Sequence, residues 1–497
     1  MADMKTLAKD TAIYGLSSII GRFLNYLLVP LYTYRIPAAS GGYGIYTNIY
    51  AYTGLFFAIL TYGMETTFFR FANKEEEDPK LVFSTILRMV GCTSLLFIGL
   101  VFAFLGPISS WMGYPDHAPY IWTMAIVVAL DAFQAILFSY LRYQKRPIKF
   151  ASLKLLFIGL NIALNLIFFA LLPYLYKQNP GMVSGIYNPE VGVGYAFYIN
   201  LFCTSIITFF FAKELKGITY GFDMKLCKRL LSYSWPILIL SVAGVLNQTA
   251  DKILFPKVYP GEDANVQLGI YGAVVKIAMI MALITQAFRY AYEPFVFGSA
   301  QEKDSKETYA KGMKYYIIFT LLAYLAVMGY INILRHFIHS DYWDARIVPI
   351  VMAAELMMGI YFNLSFWYKL TDRTYWGAIF AGIGCAVLIA INVLLVPKYG
   401  YIACAWGGFA GYGISMILSY LLERKYYPIK YPMKEIGLYT LLAAVLFVGI
   451  TFSNKYLSFW PSILVNTVLV LIFCAYIVKK DLPLAEIPVV GKYFKRK

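Results

Sequence analysis

Charge is scarce in this chain. Asp, Glu, Lys and Arg make up only 14% of its 497 residues, against about 25% for a water-soluble domain. Histidine is nearly absent as well. His117, His336 and His339 all fall between apolar stretches. A metal pair at His336 and His339 is conceivable by spacing, but solvated loop residues are the simpler reading. The six cysteines (Cys92, Cys203, Cys227, Cys385, Cys404 and Cys474) form no CxxC pair and lie in or beside apolar runs, so neither a disulfide framework nor a metal site is indicated. No glycine-rich nucleotide loop and no paired-acid metal motif occurs, and the pattern calls for no cofactor. Long polar segments are missing too, which leaves no room for a separate extramembrane catalytic domain.

Apolar sequence fills the space instead: hydrophobic residues are 60% of the chain and aromatics 18%, 44 of them tyrosine. Helices of about 20 apolar residues cross a hydrocarbon core of about 30 Å. Fourteen such spans are expected, at 11–33, 43–66, 81–106, 118–141, 150–173, 192–212, 231–255, 268–290, 313–334, 346–368, 375–396, 401–422, 436–453 and 459–478. The fold class is therefore an all-α polytopic membrane protein. The first span begins after Lys5, Lys9 and Asp10 with no small-residue cleavage site behind it, and reads as a retained helix.

Alternate loops differ sharply in basic content. One set, which includes both terminal tails, holds about 29 Lys and Arg; the opposite set holds about 8. By the positive-inside rule both termini are cytoplasmic, and the formal net charge of +16 is largely this bias. Nucleic acid is a poor partner for it, because the charge sits in short juxtamembrane loops.

An internal repeat runs through the spans. Gly44-Ile45-Tyr46 returns as Gly269-Ile270-Tyr271, 225 residues on. Leu28-Val29-Pro30 matches Leu254-Phe255-Pro256 at an offset of 226, and Asn165 matches Asn392 at 227. Two six-helix halves of like topology are expected, 10–215 and 230–425, followed by an additional pair of helices at 436–478. Such halves suit alternating access, with Pro30 and Pro256 as sites of bending.

Charges inside the spans are the sharpest functional signal, since one at the bilayer centre costs about 2.5–3.5 kcal/mol on insertion scales. Arg22, Arg88, Lys276 and Arg289 are placed this way, with Lys154 one turn into the fifth span. A path lined by cations suits an anionic cargo, and arginine suits bidentate contact with phosphate. For Arg88 and Lys154, snorkelling toward the headgroups competes with that role; for Arg289 the competing role is a headgroup anchor. Asp131, Glu355 and Asp251 are the candidate carriers of a coupling proton, weighed against plain neutralisation of a nearby cation. Asp251 and Glu65 read as structural. Among intramembrane asparagines, Asn25, Asn247 and Asn363 are candidate polar lining, although interhelical hydrogen bonding accounts for most such residues.

Several segments together resemble a family. Tyr233-Ser234-Trp235-Pro236 leads through Asn247 to Asp251-Lys252, then to Gly269-Ile270-Tyr271 and Lys276-Ile277. Arg289-Tyr290-Ala291, Glu293-Pro294-Phe295, Asn392 and Val396-Pro397-Lys398-Tyr399-Gly400 follow. The run resembles the Wzx-type polysaccharide flippases of the MOP exporter superfamily. That resemblance implies two six-helix bundles in a V, MATE-like, plus two C-terminal helices. It implies a transporter of the bacterial inner membrane that moves undecaprenyl-pyrophosphate-linked oligosaccharide to the periplasmic leaflet, driven by H+ or Na+. The family's partners would be a polysaccharide polymerase and a chain-length regulator. A MATE-type multidrug exporter is the nearest alternative, disfavoured because cations outnumber the central acids. A lipid II flippase comes next, and a membrane glycosyltransferase or polymerase is a distant third. The chain reads as a carrier, not an enzyme.

Overall fold

A computed structural model describes residues 23, 24, 26–298, 305–371 and 373–481. In the numbering used below, the principal helices are α1 (Leu28–Arg35), α2 (Gly42–Thr61), α3 (Met64–Ala72), α4 (Pro79–Ala103), α5 (Ala118–Tyr143), α6 (Pro147–Leu166), α7 (Gly194–Phe209) and α8 (Met224–Val258). After them come α9 (Ala264–Gly298), α10 (Ser305–Gly329), α11 (Ile347–Leu364), α12 (Tyr375–Tyr399), α13 (Tyr401–Tyr426), α14 (Met433–Tyr456) and α15 (Phe459–Lys480). Among the described residues there is no strand.

Eleven of the helical segments in the described residues are long and apolar enough to cross a membrane, or twelve if the bent pair Gly194–Phe209 and Ala212–Tyr220 is one span. These match the expected third to fourteenth spans. The expected first span lies mostly outside the described residues. The second is interrupted: Tyr62 and Gly63 take positive φ values of 30° and 73°, which end α2 before α3 begins. Helix α8 is longer than its expected span, with 35 residues and both Pro236 and Pro256 inside it.

Local chemistry sets several of these boundaries. Asp78 caps α4 by accepting from the Lys80 amide at 3.0 Å, with Pro79 at the first helical position. Past Leu166 the α6 helix widens into a π turn, Ile167–Leu171. Pro173 follows two residues later, and its missing N–H explains why the regular hydrogen-bond ladder shifts there.

The chain divides into two compact units, Met1–Ala273 with Ala381–Gly407, and Val274–Phe380 with Gly408–Lys497. They are drawn differently from the expected halves, because α8 and much of α12 belong to the first unit. In that unit, a core centred on Phe68, Phe83, Ile136 and Phe211 joins α3, α4, α5 and the end of α7. Phe83 stacks on Tyr140 with ring centroids 3.8 Å apart. In the second unit, α10 packs on α11, α14 and α15. Lys314 there binds Glu435 and Asp481, which fixes the last two helices to α10. Burial tends to raise the Asp481 carboxyl, but hydrogen bonds from Lys314 and Tyr439 outweigh it and hold the group below its ordinary value.

The repeated Gly-Ile-Tyr segment has a steric reason in its first copy. A Cβ on Gly44 would lie 1.8 Å from the backbone oxygen of Asn265, so α2 meets the start of α9 with no space for a side chain. Gly44→Val should lower the apparent melting temperature by the equivalent of about 1–3 kcal/mol, an overpacking cost. Gly99 has nothing within 4 Å of its virtual Cβ, so Gly99→Ala should be neutral or stabilising by up to about 1 kcal/mol. Thermal unfolding of both variants in the same detergent checks the pair; equal destabilisation would refute the close approach.

Candidate functional site

The first unit places a polar ladder inside the apolar bundle. Asp131, Gln134, Phe138 and Arg142 share one face of α5, being three to four residues apart. Opposite them, Lys154, Ile158, Asn161 and Asn165 share one stripe of α6. Half-buried Lys154 directs its ammonium over the Phe138 ring, 4.1 Å from the centroid. It lies within electrostatic range of Asp131, Glu65 and Arg142. Lys154 therefore turns into the bundle, and the competing snorkelling orientation is not the one adopted.

Asp131 accepts a long hydrogen bond from Thr204 Oγ1 at 3.5 Å. Gln134 Nε2 donates to the Thr204 carbonyl and to Thr208 Oγ1, both at 2.8 Å. Asn200 Nδ2 donates to Tyr50 Oη at 2.7 Å. At one end of the ladder Arg142 Nη2 donates to Glu65 at 3.3 Å and to Ser139 at 3.1 Å. Glu65 thus pairs across helices with Arg142. At the other end Tyr32 Oη donates to Asn165 Oδ1 at 2.7 Å. The ladder places a cation within electrostatic range of an acid inside the apolar bundle, where attraction between opposite charges is stronger than in water.

The second unit holds another polar cluster. Arg289 lies 3.8 Å over the Phe362 ring, and Lys369 stands 4.7 Å from the same centroid. Thr285 and Tyr316 share a hydroxyl hydrogen bond of 2.8 Å. The Tyr316 hydroxyl occupies the space above Gly359, where any side chain would collide with it. Half-buried Glu355, one turn before Gly359 on α11, lies within electrostatic range of Tyr316. Lys276 is half-buried on α9.

Other candidates have structural employment. Asp251 Oδ2 accepts from Tyr271 Oη at 2.6 Å, and Lys252 Nζ lies 3.1 Å from both carboxylate oxygens. Asn48 Nδ2 reaches the Lys252 carbonyl at 2.7 Å, which ties α2 to α8. Asn247 donates to the Ala381 carbonyl at 2.8 Å and joins α8 to α12. Asn363 donates to the Gly359 carbonyl one turn back, at 3.0 Å. Arg88 gives both Nε and Nη2 to the Ile218 carbonyl, at 2.9 and 2.7 Å, and faces a groove between α4 and α8. Arg22 and Asn25 lie outside the described residues. Lys314 was hidden in the sequence among other cations, since it lies one turn past Lys311 in the first turns of α10. The proximity of Lys154 to Asp131 was hidden too, because it needs the spatial pairing of α5 with α6.

Among the described residues this architecture is all-helical, and it defines a multi-pass membrane protein. A polysaccharide biosynthesis protein family matches residues 7–289, and the chain belongs to that family. Among solved structures, it is similar to the lipid II flippase MurJ in an inward closed conformation, with 15% identity and a TM-score of 0.68 over 95% of this chain and 99% of that one. It is also similar to an inward-facing multidrug resistance MATE family transporter of the MOP superfamily (14% identity, TM-score 0.62, 84% and 94% of the two chains). A third similar structure is the MATE multidrug transporter DinF-BH (17% identity, TM-score 0.59, 85% and 96%). No curated protein matches the chain. The family resemblance carried by the motifs and the expected fold class are both borne out.

The ladder makes a testable statement about energetics. Removing one member of a paired charge leaves the other uncompensated, whereas removing both does not. Lys154→Met and Asp131→Asn should each destabilise the protein by roughly 1–3 kcal/mol. The double variant should lose less than the sum of the two. Thermal unfolding of all four proteins checks this, and strictly additive losses would show that the pair does not interact.

Proposed function

We propose that the protein is a flippase that carries undecaprenyl-pyrophosphate-linked oligosaccharide from the cytoplasmic to the periplasmic leaflet of the bacterial inner membrane by alternating access. The observation that carries this reading is Lys154, its ammonium turned into the bundle over Phe138 and within electrostatic range of Asp131, in a member of a polysaccharide biosynthesis family. An anionic pyrophosphate and Asp131 compete for the same ammonium. When the pyrophosphate binds Lys154, Asp131 loses its counter-ion and takes up a proton, which links cargo to an ion gradient. Arg22, Lys276 and Arg289 would serve the same cargo, with Glu355 as the second acid. Arg88, on its own groove, is left out of this set. Both termini would be cytoplasmic, the two six-helix halves would be the moving bodies, and the chemistry would be transport without catalysis. A polymerase and a chain-length regulator are the partners this role requires downstream.

Deleting the gene should strand undecaprenyl-pyrophosphate oligosaccharide on the cytoplasmic leaflet and remove the surface polysaccharide. Lys154→Gln should fail to restore it although the protein reaches the membrane. Asp131→Asn should transport with a weakened dependence on the proton gradient. Normal lipid-linked sugars together with new sensitivity to cationic drugs would place the protein with multidrug exporters and overturn the proposal.

A further inference from the structure

The offset of 226 that relates Leu28-Val29-Pro30 to Leu254-Phe255-Pro256 also aligns α4 with α10. The two helices share one buried face: Phe83, Leu87, Val90 and Ser94 in α4 correspond to Tyr309, Met313, Tyr316 and Thr320 in α10, and all eight are buried. Their second faces differ. In α10 the stripe Lys314, Ile318, Leu321, Leu325 and Met328 is buried throughout. Its counterpart in α4 is Arg88, Cys92, Leu95, Gly99 and Phe102, and it is largely open, with Leu95 70% and Phe102 48% exposed.

The cover in the second unit is known. Helices α14 and α15 lie on α10, where Asn454 and Asn466 donate to the carbonyls of Met328 and Gly329 at 3.1 and 2.8 Å. Lys314, at the end of the stripe, is neutralised by Glu435 and Asp481. Among the described residues of the first unit, no corresponding helix pair covers this stripe of α4. Arg88 meets the Ile218 carbonyl, and among the described residues no carboxylate pairs with it and its Nη1 makes no hydrogen bond. What α10 receives from protein is an apolar cover ending in negative charge, and the same complement is unfilled on α4.

A groove of about 780 Å³ opens beside Arg88 and Cys92, with Trp235, Leu231 and Leu238 of α8 as its far wall. That volume falls in the range of about 300–1,000 Å³ typical of small-ligand sites. A transmembrane helix about 10–12 Å across would not enter it. From Arg88 to Phe102 the stripe runs about 20 Å at 1.5 Å per residue, a length suited to one lipid chain within a core of about 30 Å. Basic residues between transmembrane helices hold anionic headgroups in this manner.

We propose that the α4–α8 groove binds an anionic phospholipid of the bilayer, its phosphate on Arg88 and one acyl chain along Cys92 and Leu95 against Trp235. The lipid stands in for the helix pair that covers the repeat-related face of α10. The proposal holds whatever cargo the protein carries.

Native mass spectrometry of the delipidated full chain, titrated with phosphatidylglycerol or with phosphatidylcholine of the same chains, tests it. The wild type should bind the first phosphatidylglycerol about fivefold more tightly, the worth of one basic contact. Arg88→Gln should abolish that preference. Cys92→Trp keeps the arginine but fills the groove from an exposed position, and should weaken binding of both lipids with the melting temperature unchanged. Equal binding of the two lipids by the wild type, or unchanged phosphatidylglycerol binding in both variants, would overturn the proposal. So would self-association of the chain that Leu95→Arg abolishes, which would make a second copy the cover. A polyprenyl pyrophosphate that binds through Arg88 while phosphatidylglycerol does not would give the groove to the cargo instead.

Discussion

Hydrocarbon supplies no hydrogen bonds, so a chain buried in it must satisfy its backbone within each helix and find a reason for every charge. The long helices here meet the first demand through regular i to i−4 ladders. Where the ladder is disturbed, the cause is local: the π turn before Pro173, or the left-handed pair Tyr62-Gly63. The second demand is met in several ways. Glu214 clasps Arg146 and Lys149 near the membrane boundary. Lys314 is closed off by two carboxylates. Lys154 rests on an aromatic face within reach of Asp131. These arrangements differ in how easily an incoming anion could replace the existing partner.

That difference separates structural ions from candidate functional ones. Asp251 has a short hydrogen bond from Tyr271 and the ammonium of its own neighbour, so releasing it would leave several groups unpaired. Asp131 has a single long hydrogen bond and a cation that is itself only half-buried. The cost of breaking a buried pair depends on what replaces it. A pyrophosphate brings more negative charge than the carboxylate it displaces. Binding is then compensated at the cation, and the acid is left to accept a proton.

The repeat is most informative where its copies diverge. Asn165 is bonded by Tyr32, whereas position 258, related to Tyr32 by the offset of 226, is Val258. Among the described residues, the amide of the related Asn392 makes no hydrogen bond, although the residue is buried. Arg88 and Lys314 diverge similarly, one open and the other sealed. Two copies of one pattern have thus been assigned different neighbours.

Runs of apolar residues alone were enough to give the fold class and eleven of the fourteen spans, or twelve with the bent pair Gly194–Phe209 and Ala212–Tyr220 as one, because a run of about 20 apolar residues has few alternatives to a membrane helix. Several short motifs carried the family resemblance together, through their combined order along the chain. Intramembrane charges were visible as anomalies in apolar runs, which is why Lys154 and Asp131 could be singled out. Their association could not be read, because it depends on which faces of α5 and α6 meet, and helical spacing fixes only the face and not its partner. For the same reason Asp251 and Asn247 were legible as polar residues but not as parts of a tether. The sequence determined that this chain spans a membrane many times and that its alternate loops differ in positive charge; only the tertiary structure decided which charges are spent on packing and which remain open, because that depends on neighbours far away along the chain.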